Sequence, residues 1–221
     1  MEKKIKKNDL LRSNKKIKRI VFNNLKFILG LILITLLVNG FVRIDAYYLD
    51  LLNKVSGEDT LTELVQLFLV LVTIYSFFKL SYEKKELKKA SVLVGSFFVV
   101  VFIRELDFLF DRFYHGFWAI PALLVTLSSL YYAFRDWKDG INQLCDFLDT
   151  RAMIIIITGT ILLFFYSRLI GMGTLWKEVM GENYVYRVKM IIEESTELLC
   201  YFLIAFGAIS LRKEIKSKDN R

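Results

Sequence analysis

The stretch Leu61–Leu80, LTELVQLFLVLVTIYSFFKL, decides the fold class of this chain. Its residues are mainly apolar, with Glu63 and Gln66 near the beginning and Lys79 near the end. An α-helix needs about 20 mostly apolar residues to cross a hydrocarbon layer of roughly 30 Å. Strands of a membrane barrel would instead alternate over segments of roughly 10 residues, and this stretch does not. The pattern therefore predicts a membrane-spanning α-helix.

Five further apolar blocks of comparable length flank this stretch on both sides. They are Phe22–Val42, Ser91–Phe110, Phe117–Phe134, Ala152–Gly173 and Met190–Leu211. Apolar residues make up 55% of the chain, and the charged residues gather between the blocks. We predict an all-α polytopic membrane protein with about six transmembrane helices. A basic cytoplasmic tail covers residues 1–21, the six-span domain covers 22–211, and a second basic cytoplasmic tail covers 212–221.

Positive charges flank the predicted spans unevenly. With the N-terminus inside, 22 of the 31 Lys and Arg residues fall on the cytoplasmic side, six on the outer side and three within spans. Such an excess marks cytoplasmic loops, so both termini are predicted to be cytoplasmic. Each basic residue near an anionic leaflet adds about 1 kcal/mol of attraction. The net charge of +8 thus predicts a bilayer with an anionic inner leaflet as partner, not nucleic acid.

Ionisable residues within the predicted spans fall near the outer ends of those spans. The candidate ion- or proton-binding residues are Glu63, Gln66, Arg104, Glu105, Asp107, Asp111, Arg168, Glu193, Glu194 and Glu197. At 100° per residue, Arg104, Asp107 and Asp111 share one helical face. A charge that faces lipid costs at least about 2.5 kcal/mol on insertion scales, so such faces should point into the bundle. We predict one polar cluster that opens to the outer side.

Acids outnumber bases in this predicted cluster. Seven acids, from Glu63 to Glu197, face at most four bases. A sheltered carboxylate that stays ionised and unpaired costs several kcal/mol, so the surplus acids must take up protons, hold a cation or contact a basic partner. Carboxylates suit a divalent cation such as Mg²⁺, Ca²⁺ or Mn²⁺. The leading hypothesis is binding or passage of a proton or small cation, with Arg104 and Arg168 holding the acids in place.

Each polar residue also has a structural interpretation. Glu63 follows Thr60 by three residues, the spacing of a capping box, and Lys189 and Glu193 form an i,i+4 pair. The rival hypothesis is therefore a non-transporting sensor or assembly component, with a structural ion-pair network and protein partners at its cytoplasmic loops. A third hypothesis is a membrane enzyme that acts on a lipid headgroup. A single histidine excludes a three-His zinc site, no phosphate-binding loop is present, and the sequence identifies no cofactor.

The segment before the fifth block is amphipathic. Ile141, Leu144, Cys145 and Leu148 share one face at helical spacing. This pattern is typical of a helix that lies along a membrane surface, and equally of one that docks against a helix of a partner. Cys145 and Cys200 match no disulfide framework or zinc spacing and are interpreted as small apolar residues.

Two stretches resemble a pattern in uncharacterised polytopic proteins of the bacterial inner membrane. They are Phe102–Asp107, FIRELD, and Val188–Leu198, in which Lys189 precedes the three glutamates. The beginning of the second block, with Glu63 and Gln66, is similar too. The resemblance covers most of the chain from about residue 58 onward. It implies a bacterial inner-membrane location and the importance of these polar positions, and it implies no reaction.

Overall fold

The structure, a computed structural model, describes residues 2–51 and 60–219. All regular secondary structure in these two ranges is helical, as the sequence predicts. The α-helices are α1 (Glu2–Leu51), α2 (Leu61–Glu83), α3 (Lys88–Glu105), α4 (Asp107–Phe110), α5 (Ala119–Phe134), α6 (Trp137–Leu148), α7 (Arg151–Ile161), α8 (Ser167–Ile170), α9 (Gly173–Met180) and α10 (Tyr186–Asp219). Short 3₁₀ turns cover Lys85–Leu87 and Gly181–Asn183, and a π-helical turn covers Leu162–Tyr166.

Three segments of the described residues are long and apolar enough to cross a membrane. They are Ile20–Tyr47, Leu61–Glu83 and Arg151–Ile170, with mean hydropathies of 2.3, 1.9 and 2.1. The helix α5 is apolar but only 16 residues long. The helices α3 and α10 are 18 and 34 residues long and carry charged residues toward both of their ends. The described residues therefore contain three helical segments that are compatible with a membrane protein, and three of the six predicted spans meet this criterion.

The chain divides into two compact units, Met1–Gly40 and Phe41–Arg221. In the first unit, the Lys26 ammonium lies 4.2 Å from the ring centroid of Phe22, within the range of a cation–π contact. In the second unit, α2 packs against α3 and α10, α3 also packs against α5, and α10 also packs against α7. This helix bundle contains every candidate residue that the sequence singles out.

Aromatic side chains hold α2, α3 and α6 together. The rings of Phe77 on α2 and Phe98 on α3 stack with centroids 5.9 Å apart, and Phe77 meets Phe147 on α6 at 6.3 Å. All three side chains are buried. Gly95 of α3 allows this approach, because a Cβ atom there would lie 3.2 Å from the Phe77 Cβ atom. A small residue thus brings the two helices close enough for their rings to stack.

Glycines also set the contact between α7 and α10. A Cβ atom on Gly159 of α7 would lie 2.9 Å from the Ile204 side chain, and one on Gly207 of α10 would lie 2.6 Å from the Ile156 side chain. Each helix therefore presents a glycine to an isoleucine of the other. This reciprocal packing fixes how α7 and α10 are positioned, and with them the residues at their ends.

Charged residues are paired where α2 ends and α10 approaches its own end. Arg212 donates hydrogen bonds from Nε and Nη2 to the two Glu83 carboxylate oxygens, at 3.0 and 2.6 Å. The Lys216 ammonium lies 3.1 Å from the same carboxylate. The two-pronged arrangement matches the planar guanidinium to the carboxylate. Glu83 thus joins the last turn of α2 to α10.

The same end of the bundle holds a second set of paired charges. The Lys89 ammonium at the start of α3 lies 3.0 Å from Asp136 and 2.9 Å from Asp139, at the start of α6. The Gln143 side-chain oxygen accepts from the backbone N–H of Lys89 at 2.8 Å. The hydrogen bond from Lys89, more than that from Gln143, lowers the pKa of Asp139. We call this end, with Glu83, Lys89, Asp136, Asp139, Arg212 and Lys216, the paired end.

Candidate functional site: an acidic pocket

A polar pocket of about 280 Å³ lies at the opposite end of α2, α3 and α10. Five of its lining residues are acids, and one is a base. The lining consists of Thr60, Glu63, Leu64, Gln66, Leu67, Arg104, Glu105, Asp107, Phe108, Glu194 and Glu197. Seven of the ten candidate residues thus meet at one place, which we call the acidic pocket. Asp111, Arg168 and Glu193 are not among the lining residues.

The beginning of α2 forms one wall of the acidic pocket. Thr60 is its N-cap: the Thr60 hydroxyl accepts from the Glu63 N–H at 3.2 Å, and the Thr60 N–H donates to the Glu63 carboxylate at 3.3 Å. The capping box is therefore confirmed. Asp45 of α1, only 8% exposed, accepts from the backbone N–H groups of Leu61 and Thr62 at 3.0 and 2.7 Å, and from the Thr62 hydroxyl. Sequence reasoning missed Asp45, because its partners lie 16 and 17 residues away.

Gln66 lies one turn further along α2 and ties this helix to α10. Its side chain is 3% exposed, and its Nε2 donates a hydrogen bond to the Glu194 backbone carbonyl at 3.2 Å. A helical carbonyl normally accepts from the N–H four residues later, so Glu194 O serves as an acceptor for two helices. Gln66 thereby sets the distance between α2 and the α10 turn that carries Glu194. Its predicted place in the cluster is confirmed.

The end of α3 forms the second wall. Arg104 and Glu105 are the last two residues of this helix, and Asp107 begins the short helix α4. Tyr201, a buried residue of α10, lies beside Glu105, so its hydroxyl is near the Glu105 carboxylate. Arg104 is the sole base among the lining residues. Arg104, Glu105 and Asp107 thus all line the acidic pocket, as expected for members of one polar cluster.

Asp111 does not share the face of Arg104 and Asp107, which corrects the expectation of one continuous helical face. The helix α3 ends at Glu105, and Leu106 leaves the helical conformation with φ −96° and ψ 17°. Asp111 instead accepts from the Gly116 N–H at 2.9 Å and lies 2.9 Å from His115 Nδ1. The Gly116 hydrogen bond, helped by His115, lowers the pKa of Asp111. Asp111 thus stabilises a turn in which Gly116 has a φ of +83°.

Glu193 points away from the acidic pocket and is paired. Its carboxylate accepts from the Lys189 ammonium and lies 3.9 Å from the Arg168 guanidinium. Gly171, just after α8, faces this carboxylate so closely that a Cβ atom there would overlap it. The predicted i,i+4 pair of Lys189 and Glu193 is confirmed, and so is the proximity of Arg168 to an acid. The absence of a side chain at Gly171 makes room for Glu193.

The π-helical turn Leu162–Tyr166 lies directly before the residues that face α10 from α8. Ser167 follows it, is fully buried and donates its hydroxyl hydrogen to the Leu163 carbonyl oxygen. The same side chain lies near the Glu197 carboxyl. A π turn bonds residue i to i+5 and occurs often at functional sites. Its sequence, LLFFY, contains no signal that distinguishes it from an ordinary helix.

The lining carboxylates surround the pocket and do not converge on one point. Within residues 2–51 and 60–219, no group of three or more His, Cys, Asp or Glu residues is placed to hold a metal ion. The four glutamates Glu105, Glu193, Glu194 and Glu197 do not form one set of ligands, because Glu193 turns toward α8. Glu105, Asp107, Glu194 and Glu197 form no ion pair with any base that the structure describes. The pocket is acidic, partly sheltered and short of positive charge.

Comparison with known proteins identifies no family for this chain. No family model, no curated protein and no solved structure matches it. The resemblance to bacterial inner-membrane proteins therefore stays a prediction from the sequence. The function has to be argued from the acidic pocket and from the helices that form it.

Proposed function

We propose that the chain is a six-span protein of the bacterial inner (cytoplasmic) membrane, with both termini in the cytoplasm. The three shorter or more charged spans are α3, α5 and the apolar part of α10. Support comes from packing, because α3 lies beside α2 and α10 lies beside both α2 and α7. Lys and Arg residues are concentrated at the paired end. The positive-inside pattern therefore assigns the paired end to the cytoplasm and the acidic pocket to the outer side.

The proposed function of the acidic pocket is to bind protons or a small cation from the outer side. The observation that carries this proposal is the lining itself, in which five acids accompany a single base in one pocket. Partly buried carboxylates at close quarters are stable only when positive charge accompanies them. A proton or a mobile cation supplies that charge. Because the carboxylates do not converge, proton binding fits the arrangement better than a rigid metal site.

The interior next to the pocket supports binding more than passage. Leu69 and Val70 of α2, and Leu198 and Ile204 of α10, are buried apolar residues between the pocket and the paired end. A continuous polar path through the bundle would have to replace such residues with hydrogen-bonding groups. This observation favours a second candidate function, a membrane sensor that binds the proton or cation without transporting it. Transport would require a rearrangement of α2 and α10.

The test is the thermal stability of the detergent-purified full-length protein across pH and with added Mg²⁺, Ca²⁺ or Mn²⁺. We expect the unfolding temperature of the unaltered protein to change with pH or with one of these cations. The double substitution Glu194→Gln/Glu197→Gln should remove that change, because an amide neither ionises nor attracts a cation strongly. The matched control is Glu178→Gln/Glu182→Gln, which alters two exposed acids on and after α9. It should leave the response intact.

The outcomes separate the hypotheses. A flat response of the unaltered protein, with the Glu194/Glu197 variant merely less stable, would overturn the binding proposal and favour a structural role. A response that the control variant also loses would mean that general surface charge causes it. If the response is specific to the pocket, proton and cation flux in proteoliposomes then decides between transport and sensing. Flux above that of protein-free vesicles favours transport, and its absence favours the sensor.

A further inference from the structure

The helix α6 has three faces, and one of them is apolar and exposed. One face packs against the bundle and contains Gly140, Gln143 and Phe147. A second face is polar and contains Lys138, Asn142 and Asp146. Between these two lies an arc of about 100° at 100° per residue. This apolar face contains Trp137, Ile141, Leu144, Cys145 and Leu148.

The apolar face remains uncovered by the described chain. Trp137 is 60% exposed and Leu148 is 55% exposed, although α6 contacts α3, α5 and α7. Large apolar side chains on a helix that already has a buried face indicate a second apolar environment. Water can solvate the polar face, and the bundle covers the face that contains Gly140, Gln143 and Phe147. The apolar face therefore requires a partner with an apolar surface.

The position of α6 along the chain identifies that environment. It ends at Leu148, three residues before Arg151–Ile170, a segment long and apolar enough to cross a membrane. It also follows closely on α5, whose Tyr131 is exposed near the same end of the bundle. A helix at the end of a span lies at the depth of lipid headgroups, where Trp and Tyr side chains are enriched. The exposed large apolar side chains of that span begin with Ile154, six positions after Leu148.

We propose that α6 lies in the membrane interface, with its apolar face inserted between lipid headgroups and acyl chains. Around the helix, the face packed on the bundle is followed by the apolar face and then by the polar face. This order suits a helix that lies parallel to the membrane plane, with lipid against the apolar face and water against the polar face. The acids nearest its beginning, Asp136 and Asp139, are held by Lys89 and so do not oppose this placement. The inference rests on the proposed membrane architecture and is independent of the function of the acidic pocket.

The experiment uses the two native cysteines. Cys145 is exposed and Cys200 is buried, so a thiol-specific nitroxide should label Cys145 of the full-length protein. After reconstitution into phosphatidylcholine vesicles, spin-label relaxation reports contact with oxygen, which concentrates in lipid, and with a nickel chelate, which stays in water. In a Cys145→Ser/Cys200→Ala background, Ile141→Cys and Leu148→Cys place labels on the apolar face. Asn142→Cys and Asp146→Cys place them on the polar face.

We expect the ratio of oxygen contact to nickel contact to be several-fold higher at positions 141, 145 and 148 than at 142 and 146. A label at Ile154→Cys is the control for the neighbouring span. If position 154 is as accessible to nickel as the polar face, the membrane architecture itself fails. If position 154 faces lipid but the apolar face does not differ from the polar face, only the inference about α6 fails. If both probes are excluded from the apolar face, protein covers it, which also overturns the inference.

Discussion

At the paired end, the Glu83 carboxylate lies within 3.1 Å of two cationic side chains, whereas at the acidic pocket five acids share one lining base. Both sites are built at the ends of the same helices, α2, α3 and α10. The bases near the acidic pocket have other tasks, since Lys189 and Arg168 contact Glu193 and Arg187 donates to the Ala46 carbonyl. One bundle thus contains a structural ion-pair network and a separate pocket with excess acid. Structural ion pairs are already present at the paired end, which argues against a purely structural role for the acidic pocket.

The largest contrast is expected when one acid at each end is made neutral. Glu83→Gln should lower the unfolding temperature by several degrees, because Arg212 and Lys216 both lose their partner. Glu194→Gln should leave that temperature unchanged or raise it, because the Glu194 carboxyl has no ion pair to lose in the part of the chain that the structure describes. Differential scanning fluorimetry in detergent near pH 7 measures both. Glu86→Gln, at an exposed position near Glu83, is the control. Equal losses at Glu83 and Glu194 would erase the distinction between the two ends.

An intermediate effect is expected at the paired acid beside the pocket. Gly171→Ala should cost about 1 kcal/mol, the low end of overpacking, because the new methyl group displaces the Glu193 carboxylate from Lys189 and Arg168. Gly173→Ala is the matched control, since a Cβ atom there meets only the Tyr184 hydroxyl at 3.8 Å. Denaturant unfolding of both variants measures the difference. Identical stabilities of the two variants would show that the ion pairs of Glu193 do not depend on the space beside Gly171.

The smallest effect concerns pH at the paired end. Since the pKa of Asp139 is lowered in the folded protein, the pair with Lys89 stabilises the fold above the ordinary value of 3.8, and this stability is lost as the pH falls through the lowered pKa. Lys89→Met should therefore make the unfolding temperature less sensitive to pH on the acid side. Both carboxylates are largely exposed, so the change is small. Lys88→Met, at an exposed neighbour, should retain the sensitivity of the unaltered protein.

The all-helical fold and most of the acidic pocket could be predicted from the sequence. The length of an apolar block and the positions of charges within it can be read directly from a single sequence. The cap by Asp45 could not be predicted, because it depends on a tertiary contact between α1 and the start of α2. The separation of Asp111 was missed because a helix break at Leu106 has no proline or glycine to announce it. The division of Glu193 from Glu194 required knowledge of which neighbour each residue faces.

The π-helical turn Leu162–Tyr166 has a consequence for how sequence changes in this protein are tolerated. A π turn accommodates one residue more than an α-helical turn, so the loss of a single codon there would restore regular α-helical winding and leave the register of the residues that follow nearly unchanged. Ser167 and Arg168 would stay on the side of α8 that faces α10, whereas a deletion in the regular helix α7 would rotate both by about 100°. The length of this turn is therefore under a weaker constraint than the length of the helix before it. A one-residue deletion should be better tolerated within the turn than in α7.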